Sequence, residues 1–194
     1  MSGNDLRLRQ FSKFEYGDPL SFLEALRPLD AAVSASNLPD KIKSLRTNLL
    51  KPKRELRDAA IFCLGMSTVL GVPVRFSPVE DQDFDFATTW SSDGVRHYCP
   101  IQLKEVVSEQ LNKTVSVQTV VDALAKYADS DDLTVAIKLG RNCRFEPDQL
   151  KIHRKLAIGA LWVFGAISED QTQWALWGDF VRGSMDGTRF QIPR

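Results

Sequence analysis

The chain has few of the residues that build thiolate metal sites, disulfide scaffolds or membrane anchors. Its 194 residues include 3 cysteines and 2 histidines, with no Cys-X-X-Cys pair. Widely spaced cysteines in odd number argue against a disulfide framework, and a structural zinc site is improbable. The longest apolar run, 156–167, is too short to span a bilayer, and the first ten residues lack a signal-peptide apolar core. We therefore expect a soluble, cytoplasmic protein of a reducing compartment, without a membrane partner.

Charge of either sign is not in excess. Lys and Arg number 25 and Asp and Glu number 25, so the formal net charge is zero. No global field draws the protein to nucleic acid or membrane, and any such binding must come from local charge. A Walker loop, a dinucleotide fingerprint and a Gly-X-Ser-X-Gly elbow are also missing. His97 and His153 have no partner at triad or metal spacing, so both are interpreted as structural or surface residues.

What is present is an ordinary globular composition, 43% hydrophobic and 26% charged, which predicts a single domain over 1–194. Residues 1–18 are expected to form a loosely tied arm, and 182–194 a tail. Apolar periodicity and turn signals predict helices over 19–29, 39–50, 53–70, 115–127 and 150–167. They predict strands over 72–76, 84–90, 95–107, 133–139 and 172–181. This order favours an α/β fold with a mixed β-sheet flanked by helices.

Two successive predicted strands carry the residues of greatest chemical interest. The first contains Asp83-Phe84-Asp85-Phe86, and the second contains Gln102-Leu103-Lys104. Because strand side chains alternate between faces, Asp83 and Asp85 share one side, and Gln102 and Lys104 share one side. If these faces align, a carboxylate, an amide oxygen and an ammonium group converge, which suits a metal-dependent site for phosphodiester cleavage.

This pattern resembles the PD-(D/E)XK nuclease superfamily. The resemblance covers roughly residues 53–140: a helix, a three-strand meander with Asp on its second strand and Gln-X-Lys on its third, then a helix and a strand. The glutamine form resembles the Mrr-like branch. The resemblance implies a restriction-endonuclease-like three-layer core over 53–181 with a helical N-terminal extension over 1–50. One departure is Phe84, which stands where the family often has Pro.

The resemblance also implies roles for individual residues. Asp85, with Asp83 as the alternative, and Gln102 would hold Mg²⁺ or Mn²⁺, and Lys104 would support the attacking water. An acidic residue on the preceding helix often completes such a site; Glu55 matches best, and Asp58 and Glu80 match less well. Glutamine carries no charge and is a weaker metal ligand than glutamate. The implied activity is a deoxyribonuclease, and many small nucleases of this kind work as homodimers.

A basic run precedes the proposed core strands, and we interpret it as a candidate DNA-binding surface. It comprises Lys41, Lys43, Arg46, Lys51, Lys53, Arg54 and Arg57.

Other interpretations remain open. The basic run could be a solvated helix face, the acidic stretch a solvated loop, and Gln102-X-Lys104 the polar side of an edge strand. The protein could then be a non-catalytic interaction module on a degenerate nuclease-like fold, or an unrelated α/β protein.

Overall fold

The computed structural model describes residues 3–37, 51–81, 83–107, 115–128, 130–140, 143–152 and 156–192. Its α-helices are α1 (Gly3–Phe11), α2 (Pro19–Ala35), α3 (Lys51–Leu70) and α4 (Val117–Ala123). Its strands are β1 (Arg75–Ser77), β2 (Phe86–Ser92), β3 (Val95–Val106), β4 (Ser130–Leu139), β5 (Ile158–Ala166), β6 (Gln173–Trp177) and β7 (Gly187–Gln191). The predicted helix 39–50 lies outside the described residues. No helix among those described is long and apolar enough to cross a membrane.

The strands form one curled, mixed sheet of seven strands in sequence order, β1 to β7. Pairing is antiparallel from β1 to β3, parallel from β3 to β5, and antiparallel from β5 to β7. The β2–β3 turn is tight, and Asp93 and Gly94 both have positive φ, at 51° and 75°. Two such residues are typical of a type I′ hairpin turn, as the Asp-Gly pair predicts. The α/β class with a mixed sheet is confirmed.

Each face of the sheet has its own hydrophobic cluster. On one face, Ala60, Ile61 and Phe62 of α3 pack against strand residues such as Phe86 and Phe164. On the other face, Val121 of α4 and Phe11 of α1 pack against Val135 and Ile137 of β4. Helices therefore cover both sides of the sheet, and α3 and α4 lie on opposite sides of β3. We refer to these as the α3 face and the α4 face.

Residues typical of helix ends lie at the ends of α2, α3 and α4. Asp18 caps α2 by accepting a hydrogen bond from the Ser21 amide at 2.7 Å, and Pro19 occupies the first turn. Ser116 and Thr119 form a reciprocal capping box at the start of α4. Gly71 follows α3 with a φ of 67°, a conformation that favours glycine.

The predicted helix 150–167 is wrong, because β5 occupies Ile158–Ala166 and the described residues before it, 150–152 and 156–157, are not helical. Leu161 and Val163 are buried on the α4 face and Phe164 on the α3 face. A strand buried on both faces has a continuous apolar sequence, so its periodicity cannot distinguish it from a buried helix. The branched and aromatic run Trp162-Val163-Phe164 favours the strand.

Both predicted termini also differ from the structure. The N-terminal arm is not loose: Phe11 is 2% exposed, and Gly17 and Phe76 exchange backbone hydrogen bonds at 2.8 and 3.2 Å. The segment expected to be a tail contains β7, which pairs with β6. The one buried residue of β7, Phe190, packs against α3 side chains in the hydrophobic cluster of the α3 face. One large apolar residue in five is too weak a pattern to predict a strand.

Candidate functional site

Asp85 lies directly before β2 and faces the Gln-X-Lys segment of β3. Its amide donates to the carbonyl of Ile101 at 2.9 Å, which extends the β2–β3 pairing by one step. One carboxylate oxygen, Oδ2, accepts hydrogen bonds from the Gln102 side-chain amide and from the Leu103 backbone amide, the latter at 2.6 Å. Asp85 and Gln102 are therefore in direct contact. The predicted strand 84–90 begins two residues late, so Asp83 lies in an exposed turn and not on a shared strand face.

Lys104 lies on the α4 face of β3 with Gln102, because the two residues alternate with Leu103. Its side chain is half-buried. Burial lowers the pKa of Lys104, the charge of Asp85 opposes that shift, and the nearby Lys126 adds to it. The ammonium group is thus partly dehydrated and within electrostatic range of the Asp85 carboxylate, so its charge acts more strongly there than at the surface.

Tyr127 lies within electrostatic range of Asp85, and sequence reasoning missed it. Burial raises the pKa of its phenol, and the carboxylates of Asp85 and Asp83 raise it further. The Lys126 ammonium lies 5.6 Å from the centre of the Tyr127 ring. Both residues follow α4 at the point where the chain returns to the sheet to begin β4. That signal was available, since a helix linking parallel strands β3 and β4 must bring its last residues back beside the sheet.

Glu55 lies in the first half of α3 and shares a small cavity with Asp85. The cavity has a volume of about 120 Å³, and Glu80 and Leu103 also line it. The Glu55 carboxylate pairs with Lys51 one turn earlier, at 3.4 Å. The structure thus brings Glu55 and Glu80 to the cavity beside Asp85, whereas Asp58 points into the α3–sheet interface.

Asp58 belongs to a separate ionic cluster. Lys138 of β4 donates to its Oδ1 at 2.6 Å, and the two side chains are 8% and 17% exposed. Burial raises the pKa of Asp58 despite the opposing charge of Lys138. Beside this pair, Arg54 of α3 lies 3.6 Å from Glu105 of β3, which is the register partner of Lys138. These contacts hold α3 against the sheet. Asp58 lies about one helical turn after Glu55.

The basic run is only partly described. Lys41, Lys43 and Arg46 lie outside the described residues. Lys51 and Lys53 are exposed at the start of α3, with Lys51 paired to Glu55. Arg54 is committed to Glu105, and Arg57 is partly buried. Of the described members, Lys51 and Lys53 are the ones with exposed side chains available to a phosphate backbone.

The donor set beside Asp85 suits a hard cation with few protein ligands. Within the ranges that the structure describes, no three His, Cys, Asp or Glu residues cluster as a metal site. Asp85 offers a carboxylate, and a half-turn of the Gln102 amide about its last bond would present the amide oxygen instead of the nitrogen. Mg²⁺ takes oxygen ligands and commonly keeps several waters, so two protein ligands can be sufficient beside a substrate phosphate.

The described contacts join Asp85 to the Gln102 side chain and to the Leu103 amide. Lys104 and Tyr127 lie within electrostatic range of the Asp85 carboxylate, and Glu55 lines a small cavity with Asp85. The group combines one anchored carboxylate, an amide that can present either donor or acceptor, and a partly buried ammonium group. A scan of protein-family models, a search of curated proteins and a search of solved structures each found no match to this chain. The chemistry of the site therefore has to be inferred from its own contacts.

Proposed function

We propose that the protein is a metal-dependent nuclease that hydrolyses phosphodiester bonds in DNA. One observation carries the proposal: Asp85 contacts Gln102, although the two are 17 residues apart in sequence, and Lys104 lies on the same face of β3 as Gln102. Supporting it, the segment from α3 to β4 runs helix, three antiparallel strands, helix, parallel strand. That order resembles the core of the PD-(D/E)XK superfamily, with the acidic residue and the Gln-X-Lys segment at corresponding places.

In this proposal Asp85 and Gln102 hold Mg²⁺ or Mn²⁺. A bound divalent cation supplies an acidified water and neutralises charge on the phosphate. Lys104 orients the attacking water and stabilises the negative charge that develops on the phosphate oxygens. The Leu103 amide fixes the Asp85 carboxylate in place through its 2.6 Å hydrogen bond.

Residues around this centre have supporting roles. Glu55 can accept a hydrogen bond from water in the cavity that it shares with Asp85. Lys126 adds positive charge beside Lys104, where a DNA phosphate would lie. Lys51 and Lys53, with the remaining members of the basic run, would contact the DNA backbone on either side.

The experiment is a cleavage assay on supercoiled plasmid and on a single-stranded oligonucleotide, with Mg²⁺, with Mn²⁺ and with chelator. Wild-type protein should cleave only with metal. Lys104→Ala should lose activity by about a hundredfold or more, because one transition-state contact is commonly worth that factor. Lys13→Ala is the matched control, since Lys13 is exposed and has no described contact with Asp85, Gln102 or Lys104. Full activity of Lys104→Ala, with circular dichroism unchanged, would exclude the proposed role of Lys104.

A second candidate function is a non-catalytic interaction module. One contact favours it: the Gln102 amide donates to Asp85, which satisfies the carboxylate without a metal. In that case the Asp85–Gln102 pair would be structural, and neither metal binding nor cleavage would be observed. Substituting Gln102 by Glu distinguishes the two functions, because a second carboxylate strengthens a metal site and destabilises a metal-free one.

A further inference from the structure

A second, larger cavity of about 640 Å³ lies on the α3 face of the sheet, where the end of α3 leaves strand residues uncovered. Met66, Val69 and Leu70 of α3 form one wall. Thr88, Cys99, Thr134 and Ala160 form the floor, one from each of β2 to β5. Neither Asp85 nor Lys104 lines it. Its volume is within the range of small-molecule sites, about 300–1,000 Å³.

Two tryptophans give the cavity flat aromatic surfaces. Trp90 and Trp162 both line it, and both rings are partly exposed. Trp90 stacks on His97 with ring centres 5.1 Å apart and planes 16° apart. Trp162 is held by Gly178, where an added Cβ would come within 2.8 Å of the indole. Each ring therefore packs against a neighbour before any ligand arrives, which lowers the entropic cost of binding.

The rim of the cavity is acidic. Four of its lining residues are aspartates, Asp131, Asp132, Asp179 and Asp186, and one, Arg182, is basic. Asp132 pairs with Arg7 at 2.9 Å, and Asp179 lies 3.6 Å from Arg182. Asp131 and Asp186 are exposed, and the carboxylate of Asp186 accepts only from the Ser184 hydroxyl, at 3.3 Å, among the described contacts. Negative charge thus exceeds positive charge around the opening.

We propose that this cavity binds an organic cation: an amine or quaternary ammonium compound with an aromatic or aliphatic body. Its apolar body would lie against Trp90, Trp162 and Met66, and its charge would lie toward Asp131 and Asp186. Tryptophan is the strongest aromatic partner for a cation, and the carboxylates add attraction at the rim. An organic anion of the same shape is disfavoured by the same charges. This binding is separate from the proposed nuclease activity and does not depend on it.

The test compares two probes of similar shape and opposite charge, benzyltrimethylammonium and phenylmethanesulfonate, by calorimetry on the full chain. Protein labelled with 5-fluorotryptophan locates the probe by ¹⁹F NMR. The cation should bind and shift the signals of Trp90 and Trp162. The signal of Trp174, which is 2% exposed, should stay in place.

Variants test the charge contribution. The double substitution Asp131→Asn with Asp186→Asn should weaken binding of the cation by about tenfold, as two exposed carboxylates contribute modestly each. Asp148→Asn, at an exposed site on another loop, should leave the affinity unchanged. The inference is overturned if the sulfonate binds as tightly as the ammonium compound, or if neither signal shifts at about 10 mM cation, well above a millimolar Kd. It is also overturned if the double variant binds the cation as well as wild type does.

Discussion

The buried pair Asp58–Lys138 offers a quantitative test of how α3 is held over the sheet. The proposed change is to replace each partner by an apolar residue of similar size, as Asp58→Leu and Lys138→Met, separately and together. Asp58 Oδ1 and Lys138 Nζ are 2.6 Å apart, and their side chains are 8% and 17% exposed. Each single variant leaves the other charge in the interface without its main partner.

The expected magnitude follows from this burial. Removing one member of a buried pair destabilises a protein by about 3–5 kcal/mol, whereas replacing both by apolar residues is often close to neutral. We expect about 3 kcal/mol for Asp58→Leu. The low end applies because Glu105 lies opposite Lys138 in the β3–β4 register and can take over part of the interaction. For a chain of this size, 3 kcal/mol lowers the Tm by about 6–12 °C.

Urea denaturation of the four proteins gives the coupling energy between the two sites. The double variant should be within about 1 kcal/mol of wild type, so the coupling energy should be close to 3 kcal/mol. The Arg7–Asp132 pair, with side chains 29% and 38% exposed, is the control and should show a coupling energy below about 1 kcal/mol. Single variants at the buried pair that lose no more than the control would refute the reasoning.

The same pair makes a pH prediction. Burial raises the pKa of Asp58 above 3.8, against the opposing charges of Lys138 and Arg57. At pH values between 3.8 and the raised pKa of Asp58, this carboxyl group keeps a proton in the folded protein that it has released in the unfolded chain. The stability from this group therefore falls as pH rises through that window. Relative to the double variant, wild type should therefore gain stability as the pH is lowered through that window toward 3.8, measured by urea denaturation.

Further predictions concern backbone positions and a helix cap. Gly159→Ala should destabilise the protein by about 2 kcal/mol or more, because its Cβ would lie 2.4 Å from the carbonyl oxygen of Asp131; thermal denaturation no different from wild type would contradict this. Gly94→Ala should cost about 1 kcal/mol of stability, since φ is 75° but the space around the residue is open. A larger loss would mean that the turn also stabilises contacts beyond its own backbone conformation. Ser116→Ala removes one half of the capping box on α4 and should cost about 1 kcal/mol by urea denaturation, and an unchanged midpoint would argue against the cap.

Much of the fold was predictable because its local signals agree with the tertiary structure. The Asp93-Gly94 turn fixes the β2–β3 hairpin, and the Ser116 cap fixes the start of α4. The errors have one physical origin: α1, β5 and β7 are stabilised by contacts with distant residues. Phe11 and Phe190 each insert into a core assembled from several elements, and β5 is buried on both faces. Such contacts leave little periodicity in the local sequence.

The candidate site was predictable in part for a similar reason. The alternation of Gln102 and Lys104 places both on one face of β3, and antiparallel pairing brings Asp85 beside Gln102. Tyr127 was not found, because the connection between β3 and β4 indicates that residues after α4 return beside the sheet but not which of them comes near Asp85. The Asp58–Lys138 pair was not found either, since no local pattern relates positions on α3 and β4.

The most direct measurement of the central claim is a Mn²⁺ titration of wild type, Gln102→Glu and Asp85→Asn, followed by electron paramagnetic resonance of the free ion. If Asp85 and Gln102 hold a metal, Gln102→Glu should bind Mn²⁺ about tenfold more tightly than wild type, because it adds a charged oxygen ligand. Asp85→Asn should lose binding at this site. If wild type and Gln102→Glu both bind no Mn²⁺ at millimolar concentration, and Gln102→Glu is only less stable, the pair is structural and the metal-dependent nuclease proposal is contradicted.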